Sequence, residues 1–285
     1  MLVHFTEFLK EASQQRYAVG SFNGYNYETF QGIIAAGQEM QAPIILAFGA
    51  KYLQNMSFKE ASALARLFAA DSPDSVCLHL DHCSELATVF QAIQSGFNSV
   101  MYDGSALSFG ENVTNTKLVC DVAHACGVSV EAELGSIAAG AFSHEGSELD
   151  REIFTDPMMA AEFVAATGVD ALAVSIGTVH GMYTAKPQLR FDILAEIQQL
   201  VSVPLVLHGG SGLSEVDISR CIAGGIAKIN VNTEISMQVI AKTRECLAQR
   251  QPHFSELSSL QTAFVKEAVR EFMAHFKRPL AVDET

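Results

Sequence analysis

What the sequence lacks narrows it first. No stretch reaches about 18 uninterrupted apolar residues, the length a spanning helix needs, so no membrane segment is expected. The opening residues, Met1-Leu2-Val3-His4-Phe5-Thr6-Glu7, have no charged stretch followed by an apolar one. No secretory leader is therefore expected, and a cytoplasmic location is. No basic run occurs: 18 Lys and Arg stand against 32 Asp and Glu, a net charge of −14. That balance excludes nucleic acid and anionic membrane as partners, while a local site can still oppose the global charge for a small anion. No C-x-x-C pair occurs among the cysteines at 77, 83, 120, 126, 221 and 246. They read as reduced thiols packed as small apolar groups, with Cys83 a minor alternative as a metal ligand.

What is present fits one large core. The chain has 285 residues, 49% of them hydrophobic, a natural size for one α/β barrel. Eight short apolar segments can be read as strands: Tyr17 to Asn23, Ile44 to Phe48, Val76 to Asp81, Ser99 to Tyr102, Ser129 to Glu133, Ala171 to Ser175, Leu205 to Leu207 and Lys228 to Val231. Each is followed by a helical pattern. The strands lack clean alternation, as expected when both faces are buried. Ser57-Phe58-Lys59-Glu60 and Ser108-Phe109-Gly110-Glu111 are capping boxes, and Asp156-Pro157 is an N-cap with proline in the first turn. Gly96, Gly127, Gly168 and Gly225 each close a helix before the next strand. The fold class predicted is α/β, a single (β/α)8 TIM barrel spanning 1–285 with additional C-terminal helices; a doubly wound open sheet is the runner-up. After strand eight a long helix starts near Glu234 and breaks at Gln251-Pro252-His253. An appended helix follows within 255–276, from about Ser258, and 278–285 reads as a flexible tail. The loops Gly135 to Thr155 and Gly177 to Gln188 are long and carry glycines, so they are candidate lids.

The polar residues cluster where strands end. Leu78-His79-Leu80-Asp81-His82 runs off strand three, Val179-His180-Gly181 lies in the loop after strand six, and Leu207-His208-Gly209 ends strand seven. The carboxyl ends of barrel strands are where α/β enzymes place chemistry. Three imidazoles there suit one divalent metal with an open position, and Asp81 beside them suits proton transfer. A lone histidine at such a place is more often a hydrogen-bonded core residue; three on one rim favour a ligand set. His208-Gly209-Gly210-Ser211-Gly212 and Asn230-Val231-Asn232-Thr233 follow strands seven and eight, where barrels often bind phosphate. The bland alternative for both is an ordinary tight turn. Asp103, Glu131 and Glu133 are carboxylates on buried strands or at their ends and need partners, either a cation or a metal-bound histidine.

Taken in order, His79-Leu80-Asp81-His82, Val130 to Gly135, Gly177 to Gly181, Leu207 to Gly212 and Lys228 to Thr233 resemble the class II, metal-dependent ketose-bisphosphate aldolases, in their shorter tagatose- and fructose-bisphosphate branch. The resemblance covers roughly residues 1 to 250. It implies a (β/α)8 barrel, Zn2+ on His82, His180 and His208, and Asp81 as proton donor and acceptor. It implies dihydroxyacetone-phosphate contacts from Gly181, Gly209, Gly210 and Ser211, and from Asn230, Val231, Asn232 and Thr233. Asp103 and Glu133 match a second, less constant position for a monovalent or divalent cation. A phosphorylated ketose as substrate, a homo-oligomer (dimer or tetramer) and, in some relatives, an accessory subunit are implied as partners. Two departures stand out. Relatives carry an acidic pair in the mobile loop where this chain reads Ala139-Gly140-Ala141-Phe142, leaving Glu145 as the nearest loop acid. Bisphosphate-cleaving relatives carry a basic residue where this chain reads Leu260-Gln261-Thr262-Ala263. The expectation is a zinc-dependent aldolase cleaving a ketose 1-phosphate or 1,6-bisphosphate to dihydroxyacetone phosphate and an aldehyde, with the 1-phosphate favoured. A partner-dependent phosphosugar-binding subunit is the alternative, and a Schiff-base aldolase using Lys228 is a further rival.

Overall fold

In the computed structural model, residues 2–70, 72, 76–143 and 152–277 are described. The eight barrel strands are β1 (Val19–Asn23), β2 (Ile44–Gly49), β3 (Val76–Asp81), β4 (Ser99–Tyr102), β5 (Ser129–Leu134), β6 (Ala171–Val174), β7 (Leu205–Leu207) and β8 (Ile226–Val231). They pair in parallel in chain order, and β8 closes on β1 with Val19 opposite Lys228 and Phe22 opposite Val231. The closed barrel, not the open sheet, is the architecture. The helices are α1 (Phe5–Gln15), α2 (Tyr27–Met40), α3 (Phe58–Ala69), α4 (Leu86–Gln94), α5 (Phe109–Ala125), α6 (Pro157–Thr167), α7 (Phe191–Leu200), α8 (Glu215–Ala223), α9 (Thr233–Gln249) and α10 (Phe254–His275).

Local sequence signals explain most of these boundaries. Ser57 and Ser108 cap α3 and α5, each with its glutamate returning to the cap, and Asp156 accepts from Met158 and Met159 at the start of α6. Gly96, Gly127, Gly168 and Gly225 all take positive φ after their helices. The last helix starts four residues earlier than the reading from Ser258, because the His253 imidazole accepts from Ser255 N–H and supplies a cap. The tail from 278 and the loop acid Glu145 lie outside the described residues.

Two apolar clusters divide the molecule. The larger lies between the strands and the helix ring, and takes Leu78, Leu80, Val130, Ala132, Leu207, Ile229 and Val231 from the outward face of the barrel. The smaller lies inside the barrel floor, where Phe5, Phe8, Leu9 and Ala12 of α1 meet Val19, Ile45, Cys77, Met101, Ala173 and Val206. Helix α1 therefore plugs the amino end of the barrel. Each large side chain buried there contributes about 1.5–3 kcal/mol. The strands do alternate: apolar residues face the helices, and small, apolar or polar residues face the barrel axis. Toward the carboxyl end the axial residues become polar, among them His79, Asp81, Glu131, Glu133 and Lys228, all buried.

The chain leaves the barrel after β8 and returns. In α9 only Thr233 and Ile235 are buried, while Met237, Ile240 and Leu247 are exposed. Helix α10, read from sequence as an appendage, packs against α2 and β1 and also touches α8. Among the described residues, no helix is long and apolar enough to cross a membrane. All six cysteines are free, and Cys77, Cys83, Cys120 and Cys221 are buried.

Candidate active site

The carboxyl ends of β3, β5, β7 and β8 bring the polar residues together. His82 follows β3 with φ 39°, a left-handed conformation that costs a non-glycine residue about 1–2 kcal/mol. That turn aims the imidazole across the barrel mouth. Its Nε2 lies 2.7 Å from His208 Nδ1, and its Nδ1 lies 3.0 Å from Asp103 Oδ2. On the far side His208 Nε2 lies 2.9 Å from Glu131 Oε1. His180 comes from a short strand, Val179–His180, paired with Ala138–Ala139 above the rim. Its ring centroid lies 4.7 Å from that of His82 and 5.8 Å from that of His208. One nitrogen from each of the three imidazoles lies within 4.8 Å of the others.

Charge states show why this cluster suits a cation. Burial alone would raise the carboxyls of Asp103 and Glu131. Hydrogen bonding and charge from His82, with Ser105 donors, hold Asp103 well below the ordinary carboxylate range. Lys228 holds Glu131 down at about 2. Both are thus ionised and can only accept, so the outer nitrogens of His82 and His208 carry the N–H groups. Burial lowers His208 and pushes His180 well below its ordinary value, so both rings are neutral near pH 7. The inner nitrogens of His82 and His208 meet at 2.7 Å, a hydrogen-bond distance, on the side that faces His180. Both nitrogens of the buried His180 lack a hydrogen-bond partner. Three imidazoles converging at the barrel mouth and backed by carboxylates are a metal donor set.

Asp81 sits next to this cluster, nearly sealed at 1% exposure. Asn23 Nδ2 donates to its Oδ2 and Asn230 Nδ2 to its Oδ1, both at 2.9 Å. Burial pushes this carboxyl up, but the positive potential of His82 and Lys228 outweighs that and holds it well below the usual range. The amide oxygens of Asn23 and Asn230 are buried without a partner. Asn23 is missing from the sequence reading. Its signal is position: it ends β1 as Asp81 ends β3.

A second grouping shares His82 with Asp103 and Glu133. Burial, then the nearby Asp103 charge, raises Glu133 well above its ordinary value, and its Oε2 has no partner. One charged and one neutral carboxyl beside an imidazole can accept a further cation. Cys83 is not in either group; its thiol donates to Glu85 O at 3.6 Å.

The glycine-rich loop after β7 is built against its neighbours. Gly209 has φ 73°, and a Cβ there would lie 2.2 Å from the Val179 carbonyl oxygen. Tyr183 braces the same turn by donating to Gly209 O at 2.9 Å. Gly210 N–H is engaged by Asn230 O at 3.0 Å, so it ties the β7 loop to β8 instead of offering a donor. Gly212 N–H goes to the Glu234 carboxylate at 2.7 Å, and Ser211 Oγ accepts from Glu234 N–H. Gly209, Ser211 and Thr233 remain at the start of α9, where the helix dipole favours an anion. Asn232 donates to Tyr52 OH at 3.0 Å and so braces the rim toward β2. Gly181, with φ 96°, packs on Ala141 and Ser143. Gly209→Ala is expected to cost at least the 1–2 kcal/mol of a left-handed alanine, plus the clash, and to lower Tm by a few degrees. Thermal melts check the stability effect, and a raised KM for the phosphorylated substrate checks the role of the turn.

Lys228 has no exposure, and its ammonium donates to Glu131 Oε2 at 2.7 Å. That contact occupies the head group, whereas a Schiff base requires a free amine.

A closed parallel barrel whose rim carries three converging imidazoles beside a sealed carboxylate offers a metal donor set and a proton-transfer group on one rim. Residues 3–279 match the family model described as fructose-bisphosphate aldolase class-II, and the chain belongs to that family. Its relatives include a sulfofructosephosphate aldolase from Alkalicoccus urumqiensis, 40% identical over 270 residues, covering 93% of this chain and 94% of that one. The crystal structure of the YdjI aldolase from Escherichia coli K12 superposes with a TM-score of 0.87 at 38% identity, covering 98% of both chains.

Proposed function

We propose that this enzyme is a zinc-dependent aldolase that cleaves a ketose 1-phosphate to dihydroxyacetone phosphate and an aldehyde. The observation that carries it is the convergence of His82, His180 and His208, with both His180 nitrogens unpartnered, beside the sealed Asp81. Zinc held by those imidazoles would polarise the ketone oxygen and stabilise the negative charge left by bond cleavage. Asp81 takes the proton of the C4 hydroxyl as the C3–C4 bond breaks, and returns it in condensation. Asn23 and Asn230 aim its carboxylate, and their free amide oxygens are placed to accept from substrate hydroxyls. Gly209, Ser211 and Thr233, with Gly181 and the Asn230 to Thr233 turn, hold the phosphate of the three-carbon half. Asp103 and Glu133 offer an accessory cation position. Exposed Met237, Ile240 and Leu247 on α9 support a homo-oligomer.

The distal end of the substrate is the finer question. Lys266 and Arg270, basic residues in α10, are engaged with Glu39 at 2.8 and 3.0 Å on the α2–α10 seam. A second phosphate therefore meets no clamp from that helix, and a phosphate without a cationic partner gains little over water. The relative named sulfofructosephosphate aldolase fits this reading, since that name carries one phosphate and a differently charged sulfo group. For matched substrates differing only in the distal phosphate, kcat/KM is expected to favour the 1-phosphate or to be equal. An advantage of about 10²-fold or more for the bisphosphate, roughly 2.7 kcal/mol, would sink the proposal.

A further inference from the structure

The interior below the metal cluster holds a polar chain that aldol chemistry does not itself use. Lys228, Glu131, His79, Ser99 and His208 are all at 0% exposure. Lys228 donates to Glu131 Oε2 at 2.7 Å, and Glu131 Oε1 lies 2.9 Å from His208 Nε2. On its other side the Lys228 ammonium lies 3.5 Å from His79 Nε2, and His79 Nδ1 lies 2.7 Å from Ser99 Oγ. Strands β3, β4, β5 and β8 contribute, with His208 directly after β7, and the register of β8 against β7 shifts between Ile226 and Lys228. With that shift Ala227 joins the floor cluster while Lys228 reaches Glu131.

The arrangement has one geometric consequence. A carboxylate can rotate about its last bond and offer either oxygen to His208. Lys228 occupies Oε2 and, through His79 and Ser99, is itself held. Only Oε1 then faces His208, always as an acceptor for Nε2–H. The imidazole is left with Nδ1 as its lone pair, on the side of His82 and His180. We infer that Lys228 is a positioning residue: by fixing Glu131 it selects the His208 tautomer that presents Nδ1 to the metal. The inference rests on the reading of His208 as a ligand. It gives a buried lysine in an aldolase barrel a task other than forming a Schiff base.

The test begins with metal-free enzyme, labelled with 15N in histidine. Two-bond proton–nitrogen spectra report which ring nitrogen carries hydrogen. His208 should be a single Nε2–H species; a Nδ1–H species overturns the inference without any variant. Lys228→Met should give mixed tautomers at His208 and weaken zinc binding about 10–100-fold, the range seen when a group supporting a ligand is lost. The double variant Lys228→Met/Glu131→Gln is the sharper experiment. A glutamine amide oxygen can accept from His208 Nε2–H while its NH2 donates to the vacant His79 Nε2. The double variant should therefore regain a single tautomer and bind zinc more tightly than Lys228→Met alone. If the second substitution only deepens the loss, Lys228 is packing and the inference fails. The correct tautomer together with full zinc binding by His208→Ala would overturn the ligand reading itself, an outcome distinct from a wrong tautomer.

Discussion

His180→Ala is expected to lose stoichiometric zinc and nearly all cleavage activity, a fall of about 10³-fold or more, since a Lewis-acid metal supplies several kcal/mol to such a reaction. The reason is specific to His180. Its ring is buried, and neither nitrogen has a partner in the protein. An unsatisfied buried polar atom costs about 1–3 kcal/mol, so the folded chain carries this imidazole at a loss until a ligand takes it up. The metal-free variant should therefore melt no lower than the metal-free parent. The difference should appear on adding zinc: the parent gains stability by mass action, about 4 kcal/mol at a thousandfold excess over Kd, and the variant does not. Chelator should abolish parental activity and zinc restore it, while borohydride with substrate should leave it intact. A variant that still holds one tight equivalent of zinc would show that the ligand set is wrong.

Much of this site was legible because barrel strands sort residues by parity. In Val76-Cys77-Leu78-His79-Leu80-Asp81 every second residue faces the helices and is apolar. The residues between them face the axis, where Asp81 meets the amides of Asn23 and Asn230 at the rim and His79 meets Ser99 and Lys228 below it. The expectation that the strands lack clean alternation, because both faces are buried, missed this sorting. Helix starts were legible for a local reason: a serine and a glutamate three residues apart satisfy each other's backbone donors whatever lies beyond them. Pairings across the barrel were not legible. Glu131 and Lys228 are 97 residues apart, and the register of β8 against β7 shifts just before Lys228. Sequence pattern assigns each a face but not a partner. The same limit applies to Gly210. Its residue type suits an anion-binding turn, yet its N–H closes on Asn230, which only the three-dimensional path of β8 determines. The return of α10 onto α2 was likewise hidden, because an apolar stripe says that a helix is covered and not by what.

Asp81→Ala is expected to keep zinc and substrate affinity and to lose about 10²–10⁴-fold in kcat, the usual contribution of a positioned proton-transfer group. Two features set the expectation. The carboxylate is fixed by amide donors on both oxygens, so its proton affinity is directed at a substrate hydroxyl and not spent on rotation. It is also held ionised despite complete burial, so it is ready to accept at neutral pH. Removing it strands the Nδ2 groups of Asn23 and Asn230, at a cost of about 1–3 kcal/mol each unless water enters the space. A loss of activity could therefore reflect a collapsed rim, and zinc content with a thermal melt separates that case. The decisive readout is isotope exchange. In the proposed mechanism Asp81 serves the C4 hydroxyl and has no part in moving the proton at C3. Dihydroxyacetone phosphate alone should thus still exchange its C3 proton with solvent deuterium in Asp81→Ala, while cleavage of the ketose phosphate is lost. Exchange and cleavage falling together by the same factor would place Asp81 at C3 instead. A large rise in KM with kcat intact would move it from chemistry to binding.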